Sequence, residues 1–320
     1  MRVLDSHLHL WDPEILQYTW LEGPLAWRFA DTEIEHSRLP QATREDAVFV
    51  QAETVEGDYL DEVRWVAGLA PALGVVGIVA GVRLDRGTDT VAHLEGLETE
   101  PLVVGVRHNL QGSDGVAGSA AFVTGAREVA ARGWAFDACI HAGQLPEISR
   151  LAAAVPELRI VLDHLGKPAV GTAPAPLAPT PEWVRDLDDL ARHPLAVCKL
   201  SGLPAEAGGN WSRAQIEPFL DAAADAFGPH RLMWGSDWPV SVIGPAEPDD
   251  PHAPDDGSAA YQPHARERWA EAVIAWAEAR GHDVDAILWR NASEFYRIGE
   301  RRPVDAPQRP RRGILGWLRG

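Results

Sequence analysis

Short apolar or β-branched runs alternate along the chain with segments whose apolar positions recur every three or four residues. The runs predict strands at residues 3–9, 47–51, 75–84, 102–108, 135–141, 159–164, 196–200 and 231–235. They are nearly continuous, as expected of a parallel sheet covered on both faces. Between them, Leu60, Val63, Val66 and Ala67 fall on one helical stripe. Residues 124–133 read as a helix stopped by Gly133, and 181–190 as a helix opened by Pro181. Eight strands alternating with helices predict an α/β fold of the (β/α)8 barrel type. A doubly wound sheet shares the alternation, but here candidate polar groups collect at the C-terminal ends of many different strands, which favours the barrel.

Residues 1–300 are expected to form the barrel domain and 301–320 a basic, frayed tail. Two irregular stretches interrupt the pattern. Residues 171–181 are proline-rich, and 244–263 are acidic and proline-rich after the eighth strand, where an active-site lid would lie.

Composition narrows the function classes. A net charge of −18 argues against nucleic-acid and anionic-membrane partners. The tail holds six arginines and one aspartate, leaving 23 basic and 46 acidic residues in 1–300. Lys167 and Lys199 are the only two lysines, and both lie near candidate site segments. Cys139 and Cys198 form no paired motif, which fits a reducing cytoplasm. No run of 18 apolar residues suggests a membrane span, and the N-terminus enters a strand at once, leaving no room for a signal peptide. A cytoplasmic protein is expected.

The candidate chemistry begins at Asp5-Ser6-His7-Leu8-His9. In an extended strand Asp5, His7 and His9 share one face, and Leu4, Ser6, Leu8 and Leu10 the other. Two imidazoles on one face can grip a metal or polarise a carbonyl. His141 and His164 each end an apolar run before a glycine-containing loop, and Asp237 follows the strand that breaks at Gly235. A carboxylate at a strand's mouth is suited to take a proton from water. Arg107 and Arg83 close strands and could bind a carboxylate or sugar oxygens. Lys199 is a further candidate contact, and Trp11, Trp27, Trp211 and Trp238 could supply stacking surfaces. Neither a G-x-S-x-G elbow nor a glycine-rich phosphate loop occurs.

Assembled in order, several stretches resemble the amidohydrolase superfamily. They are Asp5-Ser6-His7-Leu8-His9-Leu10-Trp11-Asp12, Gly105-Val106-Arg107, Asp163-His164-Leu165-Gly166-Lys167-Pro168 and Gly235-Ser236-Asp237-Trp238-Pro239. More narrowly the chain is similar to the amidohydrolase-2 branch of L-fuconolactonases, L-rhamnonolactonases and 2-pyrone-4,6-dicarboxylate lactonases. The resemblance implies a site at the barrel's C-terminal mouth. His7, His9, His141 and Asp237 then match a single metal or carbonyl-polarising site, with His141, His164 and Asp237 catalytic and Asp237 the general base. Arg107-His108 stands where binuclear members place a bridging lysine or glutamate, which argues against two metals. The implied cofactor is one divalent ion, zinc or manganese, or none. The implied activity is hydrolysis of a sugar-acid or related lactone, a small-molecule substrate bound by Arg107, Arg83, Lys199 and Trp11. The alternatives are a metal-dependent decarboxylase of the same branch and a catalytically silent barrel that only binds.

Overall fold

In a computed structural model that describes residues 1–245, 259–262 and 264–299, eight parallel strands pair in chain order. They are β1 (Arg2–Leu8), β2 (Arg44–Val50), β3 (Val75–Gly81), β4 (Val103–Asn109), β5 (Ala135–Cys139), β6 (Arg159–Leu162), β7 (Ala196–Leu200) and β8 (Leu232–Trp234). Every crossover after the first carries a helix of ten residues or more. The first holds only the single α-helical turn Asp31–Ile34 and two short 3-10 turns, Gly23–Ala26 and Glu35–Ser37. This is the (β/α)8 barrel the alternation predicted. The expected tail 301–320 and most of the proposed lid 244–263 lie outside the described residues. Among the described residues no helix is long and apolar enough to cross a membrane.

Strand alternation divides the buried side chains into two layers. Phe49, Ile78, Val106, Phe136, Ile160 and Leu200 face the helices, whereas Leu4, Val50, Val79, Val161, Val197 and Met233 fill the barrel. Trp289, Ala292 and Tyr296, from the segment around the short helix Asn291–Phe295, join the inner cluster. The helices begin and end as their sequences dictate. Thr180 caps the helix Pro181–Ala191 by accepting from the Trp183 amide at 3.2 Å. The helix Ala120–Ala131 is followed by Gly133 at φ +65°.

The seam between β8 and β1 positions the site. The two strands exchange no regular ladder. Instead Ser6 Oγ donates to the Trp234 carbonyl at 2.7 Å, and the Asp237 amide donates to the His7 carbonyl at 2.8 Å. The His9 amide completes the seam by donating to the Trp238 carbonyl at 2.8 Å. Only glycine fits at 235, because a Cβ there would lie 2.7 Å from the His7 Cβ.

The seam also corrects the face expected for Asp5. The register of β1 against β2 shifts between Asp5 and Leu8, so three residues of β1 span two of β2. Such a bulge exchanges the faces of the residues on either side of it. Asp5 therefore points to the helix Ala265–Ala279, where Oδ2 accepts from Arg266 at 2.8 Å, while His7 and His9 turn inward. Asp5 Oδ1 holds the bulge by accepting from the Ser236 amide at 2.8 Å.

Candidate active site

At the C-terminal mouth of the strands lies a cavity of about 410 Å³, lined by residues that include His9, Trp20, Glu53, Arg107, Gln111, His164, Lys167, Glu206 and Asp237. Backbone strain concentrates there. Among the described residues six that are not glycine have left-handed φ, and four of them, Glu53, His164, Lys167 and Asp237, line this cavity. Each such conformation costs about 1–3 kcal/mol and persists only where the surroundings enforce it. After β6 the backbone makes a left-handed turn, with φ of +53°, +54°, +73° and +51° at His164, Leu165, Gly166 and Lys167. That turn brings both His164 and Lys167 to the cavity wall. Gly202 admits the His164 ring, for a Cβ at 202 would lie 2.5 Å from it.

Asp237 stands at the centre. Its Oδ1 is 3.7 Å from His7 Nε2, 3.5 Å from His9 Nε2 and 3.7 Å from His164 Nε2. Its Oδ2 accepts from Ser241 Oγ at 2.7 Å. Burial pushes this carboxyl up, but the three imidazoles outweigh burial and hold it below the usual carboxylate range. The histidines respond in the opposite sense. Burial, joined by Lys167, lowers His164 to about 4, and burial with Lys199 lowers His7 well below its ordinary value. At neutral pH the site therefore holds an ionised Asp237 against neutral His7 and His164.

Beneath His7 a polar chain runs toward the barrel floor. Lys199 Nζ lies 3.0 Å from His7 Nδ1, 3.0 Å from Asp163 Oδ1 and 2.5 Å from Asp137 Oδ2, which also accepts from the Tyr296 hydroxyl at 2.8 Å. All of these groups are buried. Burial raises Asp137 to about 6 against the opposing pull of Lys199, whereas Lys199 and His7 hold Asp163 well down despite its burial.

The donor set fits a divalent ion. His7 Nε2, His9 Nε2 and Asp237 Oδ1 are mutually 3.1–3.7 Å apart. Ligands about 2.0–2.2 Å from a tetrahedral zinc are separated by roughly 3.3–3.6 Å. His9 Nδ1 faces the Val50 carbonyl at 2.7 Å, so it carries the proton and leaves Nε2 a lone pair.

The structure brings His7, His9, His164 and Asp237 together, with Arg107 on the same cavity wall. It does not bring His141. Strand β5 ends at Cys139, the chain turns, and the Gln144 side chain accepts from the His141 amide at 2.9 Å. His141 is exposed in a separate hollow with Gly112, Gln144, Glu147 and Arg150. Arg83 is paired with Asp85 at 3.0 Å, away from the cavity lining. Trp11 is fully buried, its indole N–H directed to the Leu25 and Trp27 carbonyls, and it packs edge-on against the cavity residue Trp20. Lys199 lies below the cavity rather than in its lining. Asp163, Asp137, Gln111, Glu206 and Trp20 were absent from the candidate set. For Asp137 and Asp163 a signal existed: each falls two residues after an inward-facing apolar residue, Ala135 and Val161.

Residues 4–298 match the family model described as Amidohydrolase. An L-fucono-1,5-lactonase of Burkholderia multivorans is 31% identical over 322 residues, covering 95% of this chain and 98% of the relative. An L-fucono-1,5-lactonase of Burkholderia ambifaria is 30% identical over 92% of this chain and 95% of its own. A crystal structure of a Burkholderia multivorans amidohydrolase with bound zinc superposes with a TM-score of 0.74 at 27% identity, covering 93% of this chain and all of that one.

Proposed function

The chain belongs to the amidohydrolase family, and we propose from that premise that it hydrolyses the internal ester of a sugar-acid lactone. The observation that carries the reading is the ionised Asp237, whose Oδ1 faces three imidazole nitrogens within 3.7 Å beside the cavity. The similarity to two L-fucono-1,5-lactonases supports a lactone as the substrate class.

In this account the lactone enters with its carbonyl toward His9 and Arg107. Asp237 takes a proton from water, whose oxygen bonds to the carbonyl carbon. Ser241 fixes one carboxylate oxygen at 2.7 Å and leaves the other to receive that proton. The developing oxyanion is stabilised by Arg107, whose charge is secured by buried carboxylates including Asp163. When the ring C–O bond breaks, the departing oxygen takes a proton through Asp237 or His164, whose ring is oriented by Ser201 Oγ, 2.9 Å from Nδ1. The product is an open-chain hydroxy acid. A divalent ion held by His7, His9 and Asp237 would supply Lewis-acid polarisation of the carbonyl.

A pH-indicator screen of 1,4- and 1,5-aldonolactones, with and without added zinc or manganese, tests this reading. Release of acid from at least one lactone at a rate proportional to enzyme is expected. Silence across the panel under every metal condition would overturn it.

A further inference from the structure

Part of the cavity wall is a hydrogen-bonded arc. Asn109 Oδ1 accepts from Gln111 Nε2 at 3.1 Å, Gln111 Oε1 accepts from Lys167 Nζ at 2.9 Å, and Glu206 Oε1 stands 3.8 Å from the same ammonium. Lys167 and Glu206 remain partly accessible, with side-chain exposures of 20% and 27%. Trp20 ties its indole N–H to the Ala52 carbonyl at 2.8 Å, so its ring contributes apolar surface, as do Ala205 and Val240. The lining therefore offers apolar surface to the C–H face of a ring, and donors and acceptors to its hydroxyl groups.

The charges point the same way. Among the described residues the lining carries two cations, Arg107 and Lys167, against three carboxylates, Glu53, Glu206 and Asp237. Both cations are already engaged. Arg107 donates to the Gln51 carbonyl at 2.5 Å and faces Asp163 at 3.7 Å, while Lys167 serves Gln111 and Glu206. Below them Lys199 is shared between two further carboxylates, Asp137 and Asp163. With Arg107 committed to the reacting carbonyl and its unpartnered Nε buried, a second anionic group on the ring meets only Lys167, already shared by Gln111 and Glu206, and an excess of lining carboxylates in a partly desolvated space.

We propose that the Gln111–Lys167–Glu206 arc reads the hydroxyls of an uncharged lactone, and that the carboxylate excess turns away lactones bearing a free carboxylate. The inference rests on the lactonase reading and deepens it.

A matched pair tests this: L-galactono-1,4-lactone and L-galactaro-1,4-lactone, which differ by a terminal hydroxymethyl against a carboxylate. The neutral lactone should have a kcat/KM higher by roughly 30-fold or more, on the scale of a desolvated like-charge contact. Glu206→Gln should narrow that ratio by about 5-fold and Lys167→Met should widen it, both acting through KM rather than kcat. Opposite movement of the ratio separates charge recognition from structural damage, which lowers both substrates together. A ratio near one, or one that Glu206→Gln and Lys167→Met leave unmoved, would overturn the proposal while leaving lactone hydrolysis intact. If neither lactone is hydrolysed, calorimetric binding of the same pair decides. Tighter binding of the neutral member supports the charge selection, and equal or reversed affinity overturns it.

Discussion

Lys199 Nζ lies 3.0 Å from His7 Nδ1 at the bottom of the candidate site. An ammonium offers only donors, so beside it Nδ1 accepts and the ring proton sits on Nε2, facing His9 Nε2 at 3.1 Å. Asp163 Oδ1, 3.2 Å from the same Nδ1, serves the opposite tautomer, in which Nε2 offers a lone pair. Ligation of a metal through Nε2 requires that second form. Lys199→Met is therefore expected to tighten zinc binding on the 10–100-fold scale typical of groups behind a ligating histidine, measured by competition with a chromophoric chelator. The same change strands Asp137 and Asp163, both fully buried, and should cost about 3–5 kcal/mol in urea unfolding. An unchanged zinc affinity in the folded variant would remove Lys199 from control of His7.

Gly202 sets the position of the second imidazole. Its φ is +71°, and an added Cβ would lie 2.5 Å from His164 Cγ and Nδ1. Gly202→Ala should displace the ring from Ser201 and Asp237, lowering lactone turnover by roughly 100-fold, the expected scale for an ångström-level misplacement. Turnover within twofold of the parent would show that the ring position does not matter.

The buried histidines make the fold sensitive to acid. His164 and His108 are both lowered from 6.5 to about 4, by burial first, and His7 shifts the same way. Between about pH 6.5 and 4 the unfolded chain binds protons that these folded-state rings refuse, so stability rises with pH in that window and is lost on acidification. One histidine contributes about 1.4 kcal/mol per pH unit. Asp137, raised to about 6, and Glu62, raised to about 8, act in the opposite sense, their contribution being lost as pH rises through those values. The comparison of His164→Gln with the parent isolates one proton. Chemical unfolding from pH 7 to 4.5 should show the variant losing stability less steeply, by about that slope. Parallel slopes would contradict the neutral, buried state of His164.

The strand pattern made the barrel legible because apolar runs, turn residues and helical stripes all act locally. The candidate cluster was legible in part for the same reason: His164 and Asp237 lie within three residues of apolar runs that end at the mouth. Local parity failed where the backbone left regular geometry. The β1 bulge turned Asp5 outward, and the early end of β5 carried His141 off the inner face. Gln111, Glu206 and Trp20 come from loops and a short helical turn, and only the folded chain reveals their convergence. Lys199 stands out in the sequence because lysine is rare in this chain, yet its partners Asp137, on β5, and Asp163, just past β6, lie 62 and 36 residues away.

The central claim is that Asp237 activates water against a lactone carbonyl. Its most direct test is the turnover of aldonolactones by Asp237→Asn beside the parent, with thermal unfolding confirming the fold. The parent should hydrolyse at least one lactone, and the variant should lose roughly 10²–10⁴-fold in kcat, the range of a positioned general base. A folded Asp237→Asn that turns over lactone at the parental rate would contradict the account.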